Sequence, residues 1–248
     1  MRGRLLATGN VAEIFEWDSR VLKLYKSPEA KPAAFREAAI HAAVEALRLP
    51  VPSVWGLQQV GSRWGIVFDR VSDESFANRM CGSPDQIPQY LDHMAGLHVA
   101  IHRHVAIAFT SLKVRLIARI KDAPHLEDRH RGALLIGLAA IPDGDRLCHG
   151  DLHPLNILGD VDKPMIVDWP DACRGDPAAD VCRSYVLLTL HASELAAPYL
   201  HAYCRLGKIS RQAILDWLPY VAAAKLAEKV PGETDGLREI LRGLLPTS

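Results

Sequence analysis

Among the 248 residues there is no apolar run of a length that crosses a bilayer. The longest runs, such as 185–190 and 221–224, fall far short of the roughly 20 residues a spanning helix needs. Cysteine is scarce: the five positions (Cys81, Cys148, Cys173, Cys182, Cys204) include no CxxC pair. An odd count without such a pair reads as reduced, buried thiols in a cytoplasmic protein rather than as catalytic or metal-binding cysteines. Neither sign of charge dominates, since 29 Lys and Arg are interspersed with 29 Asp and Glu. The chain therefore has no strongly basic face for nucleic acid. The basic start, Met1 to Leu6, runs into Gly9, Asn10 and Glu13 before a signal-peptide core can form. No internal repeat or low-complexity stretch is present. These absences leave a cytoplasmic globular protein with neither a membrane nor nucleic acid as its partner.

What is present is a change of pattern near residue 70. Before it, Ala12–Glu16, Val21–Tyr25, Val54–Gln58 and Gly65–Phe68 are β-branched or aromatic runs bounded by turn residues. One helix, Pro32–Arg48, lies between them, stopped by Leu49-Pro50-Val51-Pro52. After Ser72 apolar residues recur at helical spacing, as at Leu112, Leu116 and Ile120, with further helices near 128–140, 177–190, 194–206 and 210–229. An α+β chain follows, with a β-rich part at 1–70 and a helical part at 71–248.

A polar block interrupts the helical part. His149-Gly150-Asp151-Leu152-His153-Pro154-Leu155-Asn156 precedes an expected hairpin, 157–158 with 165–167, which ends on Asp168-Trp169. Phosphoryl transfer needs a group to orient the attacking hydroxyl and oxygen ligands for Mg²⁺, which neutralises nucleotide phosphates. An Asp, an Asn five residues on, and an Asp closing the next strand supply both, as in kinase catalytic loops.

The octapeptide resembles the H-G-D-x-H-x-x-N signature of the aminoglycoside phosphotransferase and choline kinase group. Asp168-Trp169 is similar to that group's I-D-W segment, and Arg174-Gly175-Asp176-Pro177-Ala178-Ala179-Asp180 to its R-G-D-P-x-x-D block. The resemblance implies a two-lobed protein-kinase-like fold, with a small β-rich N-lobe and a larger helical C-lobe. It also implies ATP (or GTP) and Mg²⁺ as cofactors and a small hydroxyl-bearing molecule as acceptor. By the same resemblance Asp151 is the catalytic base, Asn156 and Asp168 hold the metal, and Asp180 braces the loop. Asp176-Pro177 reads as a helix cap with proline at the first helical position. Pro170 departs from the group, which more often has an acidic residue there, so the number of metal ions stays open; Asp171 follows it.

If the second lobe grips the metal, the first should hold the triphosphate. Lys23, isolated in an apolar strand, matches the phosphate-pairing lysine of kinases. Glu37 lies on the inward side of the following helix and needs a cationic partner, for which Lys23 is the candidate. Gly9 and Asn10 fall where the phosphate-covering loop belongs, and Asp69 and Val71 where backbone groups would hold adenine. His153 reads as fixing loop geometry.

The acceptor end is less legible. Trp217, Tyr220 and Ala224 read as core. Glu228, Glu233, Asp235 and Glu239 alternate with Lys225, Lys229, Arg238 and Arg242, which reads as a solvated helix pair. The basic residues of 113–131 read as exposed helix faces. Two other readings stand beside the small-molecule kinase. One is a protein-directed atypical kinase, disfavoured by the lack of an A-P-E segment. The other is a nucleotide-binding module without catalysis, disfavoured because a binder has no need of Asp151.

Overall fold

Alternation of apolar side chains builds a five-stranded antiparallel sheet from the N-terminal part of the chain. In the computed structural model, which describes residues 2–244, its strands are β1 (Arg2–Thr8), β2 (Ala12–Trp17), β3 (Arg20–Tyr25), β4 (Val54–Val60) and β5 (Arg63–Asp69), in the order β1-β2-β3-β5-β4. Phe15, Leu22, Leu24 and Val67 pack together on one face. Tyr25, Ile66 and Phe68 pack with Ala34 on the other. Helix α1 (Lys31–Glu45) covers this second face, burying Ala34, Glu37, His41 and Val44. Ile40, on the same helix, is only half-buried. His41 Nε2 donates to the Pro52 carbonyl (2.6 Å), fixing the strand that follows. Gly65 permits a close crossing: a Cβ there would lie 2.6 Å from the Lys23 carbonyl oxygen.

Two compact units emerge. The first takes in Met1–Pro84 and, from far along the chain, Pro154–Asp171; the second takes in Asp85–His153 and Ala172–Ser248. Within the first, α2 (Phe76–Gly82) is capped by Ser75, whose hydroxyl accepts from Asn78 N–H. The short hairpin of Ile157–Leu158 with Met165–Ile166 forms as expected. It is tied in by Ile166 N–H to the Pro50 carbonyl and Gly159 N–H to the Glu74 carbonyl.

The second unit is helical: α3 (Ile87–His102), α4 (Leu112–Asp122), α5 (Asp128–Ala140), α6 (Pro177–His191), α7 (Ser193–Gly207), α8 (Arg211–Leu215), α9 (Leu218–Leu226) and α10 (Thr234–Arg242). Helices α3 and α6 pack on α7, and α4 and α6 on α9. Leu91, Met94, Ile101, Val181, Cys182, Val186 and Tyr199 are sealed in its core. Each such side chain contributes about 1.5–3 kcal/mol by leaving water. The single helix expected over 210–229 is two, α8 and α9, because Pro219 cannot donate to a continuous helix and instead sits in the first turn of α9. No helix among the described residues is long and apolar enough to cross a membrane.

Candidate active site

In the first unit, the period-2 geometry of β3 sends Leu22 and Leu24 to one face and Lys23 to the face covered by α1. There Lys23 Nζ lies 2.7 Å from Glu37 Oε1 and 2.6 Å from Asp168 Oδ1. The Tyr25 hydroxyl donates to the other Glu37 oxygen. Burial pulls the Lys23 pKa down, but the Asp168 and Glu37 carboxylates outweigh it and hold the ammonium above its ordinary value. The lysine is a fixed cation. Burial, reinforced by Glu37, pushes the Tyr25 phenol far up, so it remains a proton donor.

Asp168 sits in the left-handed backbone region (φ 66°), uncommon for a residue with a Cβ. Its side chain is 42 % exposed, and Oδ2 has no hydrogen bond among the described residues. Val167 N–H donates to the Asn156 carbonyl (3.0 Å), so Asn156 is tied to the residue preceding Asp168. A carboxylate with an outward oxygen and a neighbouring amide are the hard oxygen donors that Mg²⁺ takes, and this donor set fits such an ion.

The second unit holds the loop beginning at His149. It leaves the strand Arg146–Cys148, which pairs with Cys173–Gly175. Asp180, in the first turn of α6, is its anchor. One carboxylate accepts four bonds: His149 N–H (2.7 Å), Gly150 N–H (2.8 Å), His98 Nε2 (2.9 Å) and His102 Nε2 (3.1 Å). On the other side of each ring, Nδ1 pairs with a tyrosine hydroxyl, Tyr199 for His98 (2.6 Å) and Tyr203 for His102 (2.7 Å). Gly150 has φ 82°, which a side chain would strain. Asp176 caps α6, with Pro177 in its first turn, as expected. Ligand atoms of His98, His102 and Asp180 lie within 4.8 Å of one another, a spacing that suits a metal ion. Hydrogen bonds already account for all of them.

This cluster makes stability pH-dependent. Burial, then the neighbouring His102, pushes His98 down to about 4 from the usual 6.5. As pH falls from 6.5 to 4 the unfolded chain takes up this proton and the folded chain does not. Stability therefore declines across that window, by up to about 3 kcal/mol. Chemical denaturation at points from pH 7 to 4 checks it: His98→Gln should lose less across the window than wild type, and equal losses would count against the assignment.

Asp151 follows Gly150. Arg183 Nη2 donates to its Oδ1 (2.9 Å), and His153 Nε2 lies 3.6 Å from Oδ2. Burial alone would raise this carboxyl, but the neighbouring His153 and the Arg183 charge outweigh it and hold it well below the ordinary range. Arg183 also donates to the Gly150 carbonyl and to Glu228 Oε1 (2.7 Å). Glu228 in turn accepts from Arg119 (2.8 Å) and Lys225 (3.0 Å). Glu228 is thus no solvated helix residue, and Lys225, 3 % exposed, is core-bound. Nor is Arg119 an ordinary surface cation, while Arg131 donates to carbonyls at the end of α4, including Ile120 and Lys121. The sequence reading missed Arg183. The available signal was an arginine among Val181, Cys182, Val186 and Leu187, a helix stretch where a charge needs a partner.

The remaining candidates lie in the first unit. Gly9 and Asn10 form the exposed β1–β2 turn, closed by Gly9 N–H to the Ala12 carbonyl (2.9 Å). A Cβ on Gly9 would meet nothing closer than 3.5 Å, so the fold itself does not require glycine. Asp69 ends β5; its N–H is taken by the Ser53 carbonyl (3.0 Å) and its carboxylate by Trp55 Nε1 (2.6 Å). Val71 lies just beyond, in irregular chain.

Solved structures share this fold. A type VIII aminoglycoside-3'-phosphotransferase is 22 % identical, with TM-score 0.64 over 90 % of each chain. A thermostable mutant of aminoglycoside phosphotransferase APH(4)-Ia is 17 % identical, with TM-score 0.71 over 99 % of this chain and 96 % of that one. Choline kinase LicA from Streptococcus pneumoniae is 13 % identical, with TM-score 0.70 over 98 % and 92 %. Comparison with curated protein sequences finds no match. The family model of the phosphotransferase enzyme family, APH, matches residues 14–218. With its loop anchored on Asp180 and its buried lysine held by two carboxylates, the chain belongs to the APH phosphotransferase enzyme family.

Proposed function

We propose that this phosphotransferase moves the γ-phosphoryl group of ATP, or GTP, to a hydroxyl of a small molecule. The observation that carries the reading is Lys23 held between Glu37 and Asp168. It is a cation fixed beside a carboxylate that still has an oxygen to offer. Residues 1–70 would bind the nucleotide: Lys23 pairs with its phosphates, Gly9 and Asn10 cover them, and Asp69 and Val71 meet the base. Segment 154–171, in the same compact unit, would hold Mg²⁺ through Asn156 and Asp168. When bound, that ion neutralises charge on the phosphates. Residues 71–153 and 172–248 would carry the acceptor, with Asp151 orienting its hydroxyl.

In the transfer, an oxygen lone pair of the acceptor forms the new bond to the γ-phosphorus. The bond from that phosphorus to the β-bridging oxygen breaks, and its electron pair leaves with the nucleoside diphosphate. The hydroxyl proton passes to Asp151. A carboxylate of such low pKa is a weak base, so its main contribution is orientation and charge, which suits a loose transition state where the proton leaves late. Support comes also from similar folds solved with ADP and hygromycin B and from the choline kinase.

Calorimetry with and without Mg²⁺ tests the nucleotide half. Wild type should bind ATP more tightly with Mg²⁺. Asp168→Asn, which suits a left-handed backbone, should lose that increment while keeping metal-free affinity. Identical affinities in all four titrations would overturn the metal role.

A further inference from the structure

Arg183 leaves a buried stretch of α6 with its guanidinium engaged on two sides. One edge meets the loop that carries the proposed base: Nε donates to the Gly150 carbonyl and Nη2 to Asp151 Oδ1 (2.9 Å). The other edge meets Glu228, with Nη1 2.7 Å from Oε1 and Nη2 3.2 Å from Oε2. A rigid planar fork satisfies both sides in one orientation. The donor that reaches Asp151 is therefore aimed by Glu228.

Glu228 is itself fixed, in the turn that ends α9. It accepts from Arg119 of α4 (2.8 Å) and from Lys225 of α9 (3.0 Å). Lys225 Nζ also lies 2.8 Å from Glu233 Oε2, which holds the lysine from its far side. Burial would raise the Glu228 carboxyl, but Arg183, Lys225 and Arg119 outweigh it and keep it ionised. Three helices thus converge on one carboxylate, and one of them carries its charge to the loop.

Two effects on Asp151 follow. Glu228 sets the angle at which Arg183 grips the carboxylate, and it offsets part of the arginine's charge. Without that offset more of the positive charge would fall on Asp151, which would then hold a hydroxyl proton less readily. We infer that Glu228 is a positioning residue for phosphoryl transfer, acting on Asp151 through Arg183. The inference rests on the phosphotransferase reading above and extends the working site to the turn after α9.

Glu228→Gln, which keeps the shape and removes the charge, is compared with wild type, Asp151→Asn and the double variant, with folding checked by thermal melting. ADP release from ATP is measured with choline, glycerol and water as probe acceptors. NMR of the Arg183 side chain reads its geometry independently, because a guanidinium paired on both sides rotates slowly and keeps its NH2 groups distinct. Glu228→Gln should merge those signals and lower kcat about 10- to 100-fold, the scale of a small misplacement at the reacting centre. KM for ATP should stay within about twofold. In the Asp151→Asn background the same change should lower kcat no further, since its effect passes through that carboxylate. Equal losses in both backgrounds would make Glu228 a structural strut and overturn the inference, as would an unchanged kcat. If Glu228→Gln does not fold, Glu228→Asp, which keeps the charge but shortens the reach, carries the same comparison. If wild type releases no ADP with any probe, the phosphotransferase reading fails. Merged Arg183 signals would then still uphold the aiming by Glu228, and unaltered signals would overturn it.

Discussion

Replacing Asp151 by Asn should lower kcat about 100- to 10,000-fold, the usual contribution of a positioned general base, while leaving nucleotide affinity nearly unchanged. Asn keeps the shape and an acceptor for Arg183, so what disappears is the negative charge facing the acceptor hydroxyl. The groups assigned to phosphates and metal, Lys23, Asn156 and Asp168, belong to the first compact unit, whereas Asp151 belongs to the second. Because the carboxyl is held well below the ordinary range by His153 and Arg183 against its burial, wild-type turnover should show no acid limb near the usual carboxylate value of about 4. Nucleotide binding by fluorescence, paired with transfer to the acceptor found by screening, makes the test. An Asn variant that turns over as fast as wild type would end the assignment of Asp151 as base.

The second large effect is on folding. Asp180→Ala strands two backbone N–H groups and two imidazole N–H groups in a core where Asp180 is 2 % exposed. Each buried donor left without a partner costs about 1–3 kcal/mol. Partial relaxation still leaves a loss of roughly 4 kcal/mol or more, a large share of the ~5–15 kcal/mol that domains possess. For a chain of this size the melting temperature should fall by about 10 °C or more. Asp180→Asn, which keeps one acceptor oxygen, should fall by less, and it decides the matter if the Ala variant does not fold. Melting temperatures of both variants within about 2 °C of wild type would show that the carboxylate is not the anchor.

Much of this was legible in the chain. Strands β2 to β5 and helix α5 appear close to their expected limits because local alternation and helical spacing report burial directly, whereas β1 (Arg2–Thr8) was not expected. Lys23 and Glu37 meet because a strand of period 2 and a helix of period 3.6 each turn a charge toward the same apolar layer. Arg183 and Glu228 were not legible in this way. Their partners lie 32 and 45 residues apart along the chain, and periodicity carries no information about which distant helix a charge will meet. For the same reason residues 154–171 could not be assigned to the first unit: their anchors, Pro50 and Glu74, lie about a hundred positions earlier. The break at Pro219 was available from proline chemistry but was outweighed by the continuous apolar pattern around it.

The left-handed backbone at Asp168 bears on how sequence change at the site should be interpreted. Asp, Asn and Gly tolerate that conformation, whereas β-branched and bulky residues do not. A descendant that had abandoned phosphoryl transfer would still be biased toward those residues at 168 by backbone geometry, although unbranched side chains such as Arg48 and Lys208 adopt the same region elsewhere in the chain. A small polar residue there is a record of shape as much as of chemistry. Asp151 is under no such constraint, since its φ is not in the positive region. What holds an aspartate at 151 is its charge, spent on the pairing with Arg183 and, on the proposed reading, on the acceptor hydroxyl.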